Sequence, residues 1–494
     1  MLSRRGLIVG LGGLASAAIM GRAKLAIAAQ VEPFSAPLPL PSLLDARRQG
    51  NRVKIAAREG RHAFIPGIPV RTYGYSSDYL GPAIKVYRGD TVQIEVENKI
   101  DRPTTVHWHG LLVPARDDGG PRSLIHPSQV WRPELKVDQP EATAWFHAHP
   151  HHDTARQVYM GLAGLMLIED GTGLRLGLPR DYGVDDLPLI LQDRQFDAAG
   201  RLVYSSGGPA RMMGMRGDTV VVNGAIAPNA KVPAGIVRLR ILNAANARNF
   251  DLSFADGRTF HVIAGGGGYL RGPVAMRSLV VAPGERFEVL VDFSDGRPAV
   301  LQTAEDDLSM GMMGPGMMGP PFGRRSPASG SLMRFEVNPA LSIKAKAIPP
   351  TLTTHVAPDR SRAVARRRLT LNMGMMGMGM GDGMGSPMGI NGRAFDPTRI
   401  DIEAKIGTAE IWSVAPVMMA HPFHIHGAMF NMLSLGGRSP PAHLAGAKDT
   451  VLLREPAELL VQFTQMATRD KPFVYHCHIL EHEEAGMMGQ YIAT

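Results

Sequence analysis

An all-β fold of packed β-sandwiches is what this sequence predicts, on three observations. Its 494 residues include 56 glycines and 38 prolines but only 20% charged side chains, a turn-rich balance that favours many short strands over long helices. Strand-like segments with alternation at period two recur at 86–96, 217–224 and 237–243, the first two carrying Gly-Asp turn signals. No segment holds a helical repeat long enough to organise a domain, so sheets must pack on sheets.

The length exceeds what one core organises, and a hydrophobic share of 44% is enough to fill two or three. Breaks near 171–185 and 340–368 divide the chain into expected domains at 45–170, 185–340 and 366–494, the last with a methionine-rich insertion at 373–388. Ahead of them, Arg4-Arg5 precedes an apolar run and the small residues Ala26-Ile27-Ala28, the pattern of a twin-arginine signal peptide over residues 1–28. About 15 apolar residues fall short of the ~20 that span a bilayer, so cleavage without stable membrane insertion is expected. The implied compartment is the periplasm, with the twin-arginine translocase as partner during export. Half of the formal charge of +8 sits in that segment. The other basic runs, Arg324-Arg325 and Arg366-Arg367-Arg368, lack interleaved aromatics and read as solvated linkers, which excludes a nucleic-acid partner.

Cys477 is the sole cysteine, so an intramolecular disulfide is impossible, and a lone thiol in an oxidising compartment needs a protector such as a metal. Four short motifs hold ten of the 17 histidines: His107-Trp108-His109, His147-Ala148-His149, His421-Pro422-Phe423-His424-Ile425-His426 and His476-Cys477-His478 running on to His482. Residues i and i+2 of a strand share a face, so each His-x-His pair is a clamp. Four converging clamps give eight imidazoles, enough for three copper ions with positions left for oxygen. Cys477 and His421 have the opposite parity and belong to a second site, where His482 and Met487 complete the ligand set of a blue-copper centre. Cys477 is one peptide from each of two cluster histidines, a short path for electrons.

With these twelve positions in the family's order and spacing, the sequence resembles the multicopper oxidases along nearly all of its mature length. That resemblance implies three cupredoxin-like Greek-key sandwiches with a cluster between the first and third. It also implies four copper ions: type 1 on His421, Cys477, His482 and Met487; type 2 on His107 and His424; and a type 3 pair on His109, His147, His149, His426, His476 and His478. Asp118 and Glu483 match positions that deliver protons in the family, although Asp118-Gly119 by itself reads as an ordinary turn. Residues 155–164, Glu481-His482-Glu483 and the methionine-rich insertions are similar to the periplasmic copper-efflux oxidases. Those relatives carry an acidic residue where this chain has Val417.

The resemblance implies dioxygen as acceptor, with cuprous ion as donor in copper tolerance, or a small organic reductant in a laccase-like reaction. Thioethers select Cu(I), and two glycine-interleaved segments hold twelve of the 28 methionines. Met373, Asp382 and Met419 are the expected substrate-copper residues. Two rival readings are a zinc hydrolase built on residues 147–153, which leaves Cys477 unexplained, and a copper-binding protein or scaffold without catalysis. The other histidines, including His62 and the channel candidates His151 and His152, are expected in loops or at the surface.

Overall fold

The computed structural model describes residues 31–304, 306, 330–354, 358–374 and 388–494. The expected signal segment, Asp382, Arg324-Arg325 and most of both methionine-rich stretches lie outside the described residues.

Six sheets pair into three sandwiches. In the first, one sheet runs Leu43–Asp45, Ala83–Tyr87, Ala163–Glu169, Ala142–His147, and the other is built around Ile68–Tyr75, Arg52–Ile65 and Thr91–Asn98. The second has a six-stranded sheet centred on Asp186–Arg194, Ile236–Asn243 and Arg286–Asp292, facing a five-stranded sheet that includes Gly330–Val337. The third repeats this plan, with Ala363–Met373, Ala409–Pro416 and Ala457–Phe463 in one sheet and His421–Ile425, Phe473–Cys477 and Met488–Ala493 in the other.

The repeat is visible in strand direction. Each sandwich pairs an early strand in parallel with a later one: Arg52–Ile65 with Thr91–Asn98, Asp186–Arg194 with Ile236–Asn243, and Ala363–Met373 with Ala409–Pro416. Parallel pairing cannot be made by a tight hairpin, so the chain between must cross to the opposite sheet. Gly89-Asp90 is such a crossing, because the strands on either side of it belong to different sheets.

Apolar side chains of alternate parity fill each sandwich, with Trp108 in the first core and Trp412 in the third. A further cluster joins the first two sandwiches, where Phe64, Tyr79, Trp145 and Leu165 meet Ile190, Phe196, Val221 and Leu242. A fully buried large apolar side chain contributes about 1.5–3 kcal/mol, so this seam holds the two units as one body. Helices are short, the longest described being Thr154–Met160. Two sequence expectations need correction. Arg366-Arg367-Arg368 lies inside the strand Ala363–Met373, not in a linker. His62 lies on the strand Arg52–Ile65, where it stacks on Tyr79 and donates to Gly224 O at 2.8 Å.

Candidate metal centre

The four His-x-His motifs meet where the first and third sandwiches face each other. His147 ends the strand Ala142–His147 and bridges His107, while His424 pairs with His476 across the strands His421–Ile425 and Phe473–Cys477. His109, His149, His426 and His478 lie outside any strand, so the expectation of regular strands throughout is met only in part. The shared orientation survives nonetheless. Ring centroids within a pair are 5.5 Å apart for His107 and His109, 5.7 Å for His147 and His149, 5.0 Å for His424 and His426, and 5.7 Å for His476 and His478.

Three groups of ring nitrogens result, each within 4.8 Å: His109, His147 and His478; His149, His426 and His476; and His107 with His109 and His424. Nε2 of His107 lies 3.3 Å from Nε2 of His424. Burial first, then the neighbouring histidines, holds His109, His149, His424 and His426 well below the usual imidazole range, and burial brings His476 down to about 3. These rings are therefore neutral, the form that binds metal.

Backbone carbonyls decide which nitrogen is free. A carbonyl only accepts, so Nδ1 carries the hydrogen where His107 donates to Asp118 O (3.1 Å), His147 to Ala148 O (2.9 Å), His424 to Asp449 O (2.9 Å) and His476 to Cys477 O (3.0 Å). Nε2 of those four rings is thereby presented to the cluster as a lone pair. His482 is reversed: its Nε2 donates to Met212 O at 2.9 Å, on the short helix Gly208–Met213, and its Nδ1 lies 3.6 Å from Cys477 Sγ. His421 Nδ1 is 3.4 Å from the same sulfur. Met487 is fully buried, and its carbonyl accepts from the Cys477 N–H at 3.1 Å, which folds the chain beyond the helix Leu480–Glu484 back onto the thiol's strand. One thiol with two imidazoles and a buried methionine in the same core, beside a nest of neutral imidazoles, is a donor set that fits copper.

Models of the multicopper oxidase family match residues 57–173, 192–300 and 365–494, one in each sandwich. The chain belongs to the multicopper oxidase family. Among solved structures, a laccase-like multicopper oxidase, CueO, from the lignin-degrading bacterium Ochrobactrum sp. superposes with a TM-score of 0.84 at 43% identity, covering 93% of this chain and 100% of that one. The multicopper oxidase Mco of Staphylococcus epidermidis is 34% identical over 92% of both chains. The cell division protein FtsP of Dickeya dadantii is 36% identical, also over 92% of both. Copper is the metal that membership of this family implies.

In this multicopper oxidase family member, two buried carboxylates touch the cluster from outside. Asp118, 2% exposed, lies 2.8 Å from His426 Nδ1 and 3.3 Å from His107 Nδ1. Glu483 approaches His149 Nδ1 at 3.3 Å and His476 Nδ1 at 3.2 Å, without the alignment of a hydrogen bond. Burial, reinforced by Glu484, pushes the Glu483 carboxyl well above its usual range. Gly119 permits the Asp118 placement, since at φ +78° a Cβ there would sit 1.8 Å from Val106 O.

Sequence reasoning missed a third acid. Asp449 Oδ1 lies 3.1 Å from His109 Nε2, and Thr450 Oγ1 is 2.9 Å from that nitrogen and 3.0 Å from His424 Nδ1. Burial would raise the Asp449 carboxyl, but Arg286 of the second sandwich pairs with it and holds it below its ordinary value. No local pattern marks Asp449, because its importance comes from Arg286, 163 positions away. Met212 is likewise invisible in sequence, acting only through its carbonyl.

Met373 and Met419, each 6% exposed, lie in the apolar core of the third sandwich, whereas Val417 is 38% exposed. His151 and His152 pack ring against ring at 3.6 Å, and His152 lines a cavity with Arg211, Glu481 and Glu484. No helix among the described residues is long and apolar enough to cross a membrane.

Proposed function

We propose that this chain is an oxidase that couples one-electron oxidation of a donor, cuprous ion foremost, to reduction of dioxygen to water, and that it serves copper tolerance in the periplasm after export by the twin-arginine route. Four copper ions, one at Cys477 and three at the histidine cluster, would supply the single-electron transfers and the four-electron reduction of oxygen when bound. The supporting observation is the opposed tautomers: His107, His147, His424 and His476 offer Nε2 inward, His482 offers Nδ1 to the thiol, and Cys477 joins the two sites through one peptide on each side. His421, Cys477, His482 and Met487 hold the mononuclear position. His107 and His424 hold one ion of the cluster, and the two three-histidine groups hold the pair. Asp118 and Glu483 are the general acids, placed to pass protons toward the cluster through its edge. Burial raises the Glu483 carboxyl above its ordinary value, a shift toward the protonated form a donor needs.

For the donor, Met373, Asp382 and Met419 are the proposed cuprous-ion residues, fed by the methionine-rich segments. The burial of Met373 and Met419 and the apolar Val417 favour a second reading, a laccase-like oxidase of phenols. The Ochrobactrum enzyme, described as acting on lignin model compounds, supports the same alternative. Replacing residues 374–387 with a two-residue turn separates them. Met373 and Met388 are already paired across antiparallel strands, so the shortened hairpin can close without disturbing the sheet. Cuprous oxidation is expected to fall about tenfold while phenol oxidation rises. Unchanged cuprous oxidation with no gain on phenols would give the donor role to an organic molecule. Absence of oxygen consumption with either donor in the intact copper-loaded protein would support a non-catalytic role.

A further inference from the structure

Arg366-Arg367-Arg368 has no part in the oxidase site; Arg366 and Arg368 are exposed, and Arg367 is half-buried. These residues lie on the strand Ala363–Met373 and line a cavity of about 460 Å³ in the third sandwich, together with Arg393 and Arg399. Asp401 is the one carboxylate among the lining residues. The inner arginines are neutralised: Arg367 forks onto Glu410 at 2.6 and 2.8 Å, and Arg399 meets Asp401 at 2.5 Å. Arg366 has an exposed contact with Glu458 at 3.3 Å. Arg368 and Arg393 have no acidic partner among the described residues, which leaves two uncompensated guanidinium groups on the cavity wall.

A second observation is independent of charge. Tyr475 also lines the cavity, is 2% exposed, and its hydroxyl has no hydrogen-bond partner among the described residues. Its approach depends on Gly489, where a Cβ would lie 2.5 Å from the phenol oxygen. The hydroxyl oxygen itself is open to the cavity, where it can donate to an oxygen of a bound group.

We propose that this cavity is a binding site for a compact, doubly charged oxyanion, a phosphate group. A planar carboxylate satisfies one guanidinium fork, whereas a tetrahedral phosphate presents acceptors in several directions at once. Arg368 on a strand, Arg393 on the turn beyond Met388–Ile390 and Tyr475 on a third element all line the one cavity, so donors are offered to it from several elements. None of the twelve expected metal ligands lines the cavity, so the site is separate from the metal centre and stands independently of the oxidase reading.

Calorimetric titration of the copper-loaded protein with inorganic phosphate, at fixed ionic strength, tests this. One saturable site is expected, in which sulfate competes and the planar monoanion nitrate does not. The Arg368→Ala/Arg393→Ala double variant should weaken phosphate binding about tenfold or more, and Tyr475→Phe about threefold, with copper content and absorption unchanged. The proposal is overturned if no saturable heat appears, or if the double variant binds as the native protein does. It is equally overturned if all three anions bind alike, which would reveal only diffuse positive charge.

Discussion

Cys477 points away from the two histidines that flank it, and that single reversal separates one metal position from the other. Its buried sulfur lies within 3.6 Å of both His421 and His482. Copper-loaded protein is therefore expected to be blue, and Cys477→Ser should abolish both the copper-thiolate absorption and turnover; a variant that stayed blue would place the mononuclear copper elsewhere. Asp118→Asn and Glu483→Gln each remove a transferable proton while keeping size and hydrogen-bonding capacity. Both should slow oxygen reduction about 10²-fold or more, with anaerobic reduction of the blue centre by donor unchanged; equal slowing of the two half-reactions would indicate a structural role. Strand parity made the clamps and the reversed cysteine legible in sequence. Asp449, Thr450 and Arg286 were not legible, because each acts through a partner brought in by folding.

Equivalent strands end in equivalent ways. At the close of Thr91–Asn98, the Asn98 amide donates to Arg102 O at 2.8 Å and Ile125 O at 2.7 Å and accepts from Ile100 N–H. Asn243 closes Ile236–Asn243 with the same three bonds, to Arg248 O at 2.7 Å, Val281 O at 2.8 Å and from Ala245 N–H. Both are buried Asx turns that redirect the chain where a strand leaves its sheet. Asn243→Ala strands these backbone groups without partners, at about 1–3 kcal/mol for an unsatisfied group. A lowered midpoint in chemical denaturation is expected, and an unchanged midpoint would mean water replaces the amide. Alternation in residues 86–96 and 237–243 foretold strands, but not that Gly89-Asp90 passes between sheets. Hairpin and crossing carry the same turn residues, and only the parallel partner strand distinguishes them.

Across the whole molecule, the first two sandwiches are pinned by a buried charge network. Thr143 donates to Glu288 at 2.6 Å from the strand that ends in His147, while Arg238 and Arg240 grip Glu288 from the second sandwich. Burial alone would raise the Glu288 carboxyl, but Arg238 and Arg240 outweigh it and hold it below its ordinary value. Its stabilising contribution is thus complete above the unfolded value of about 4.3 and is lost as pH falls through the lower folded value. Glu288→Gln leaves buried guanidinium groups undercompensated and should cost about 3–5 kcal/mol near neutrality. The variant should also lose less further stability than the native protein when acidified; parallel pH curves would show that Glu288 is not the responsible group. The all-β class and the two parities of histidine were determined by the sequence itself, because period-two alternation and i, i+2 spacing are local properties of a strand. Only the tertiary structure decided which clamps meet, which ring nitrogen each histidine offers and which arginines face a cavity. Those depend on groups that folding brings together, some of them far apart in sequence, as Met212 O is from His482 and Thr450 from His109.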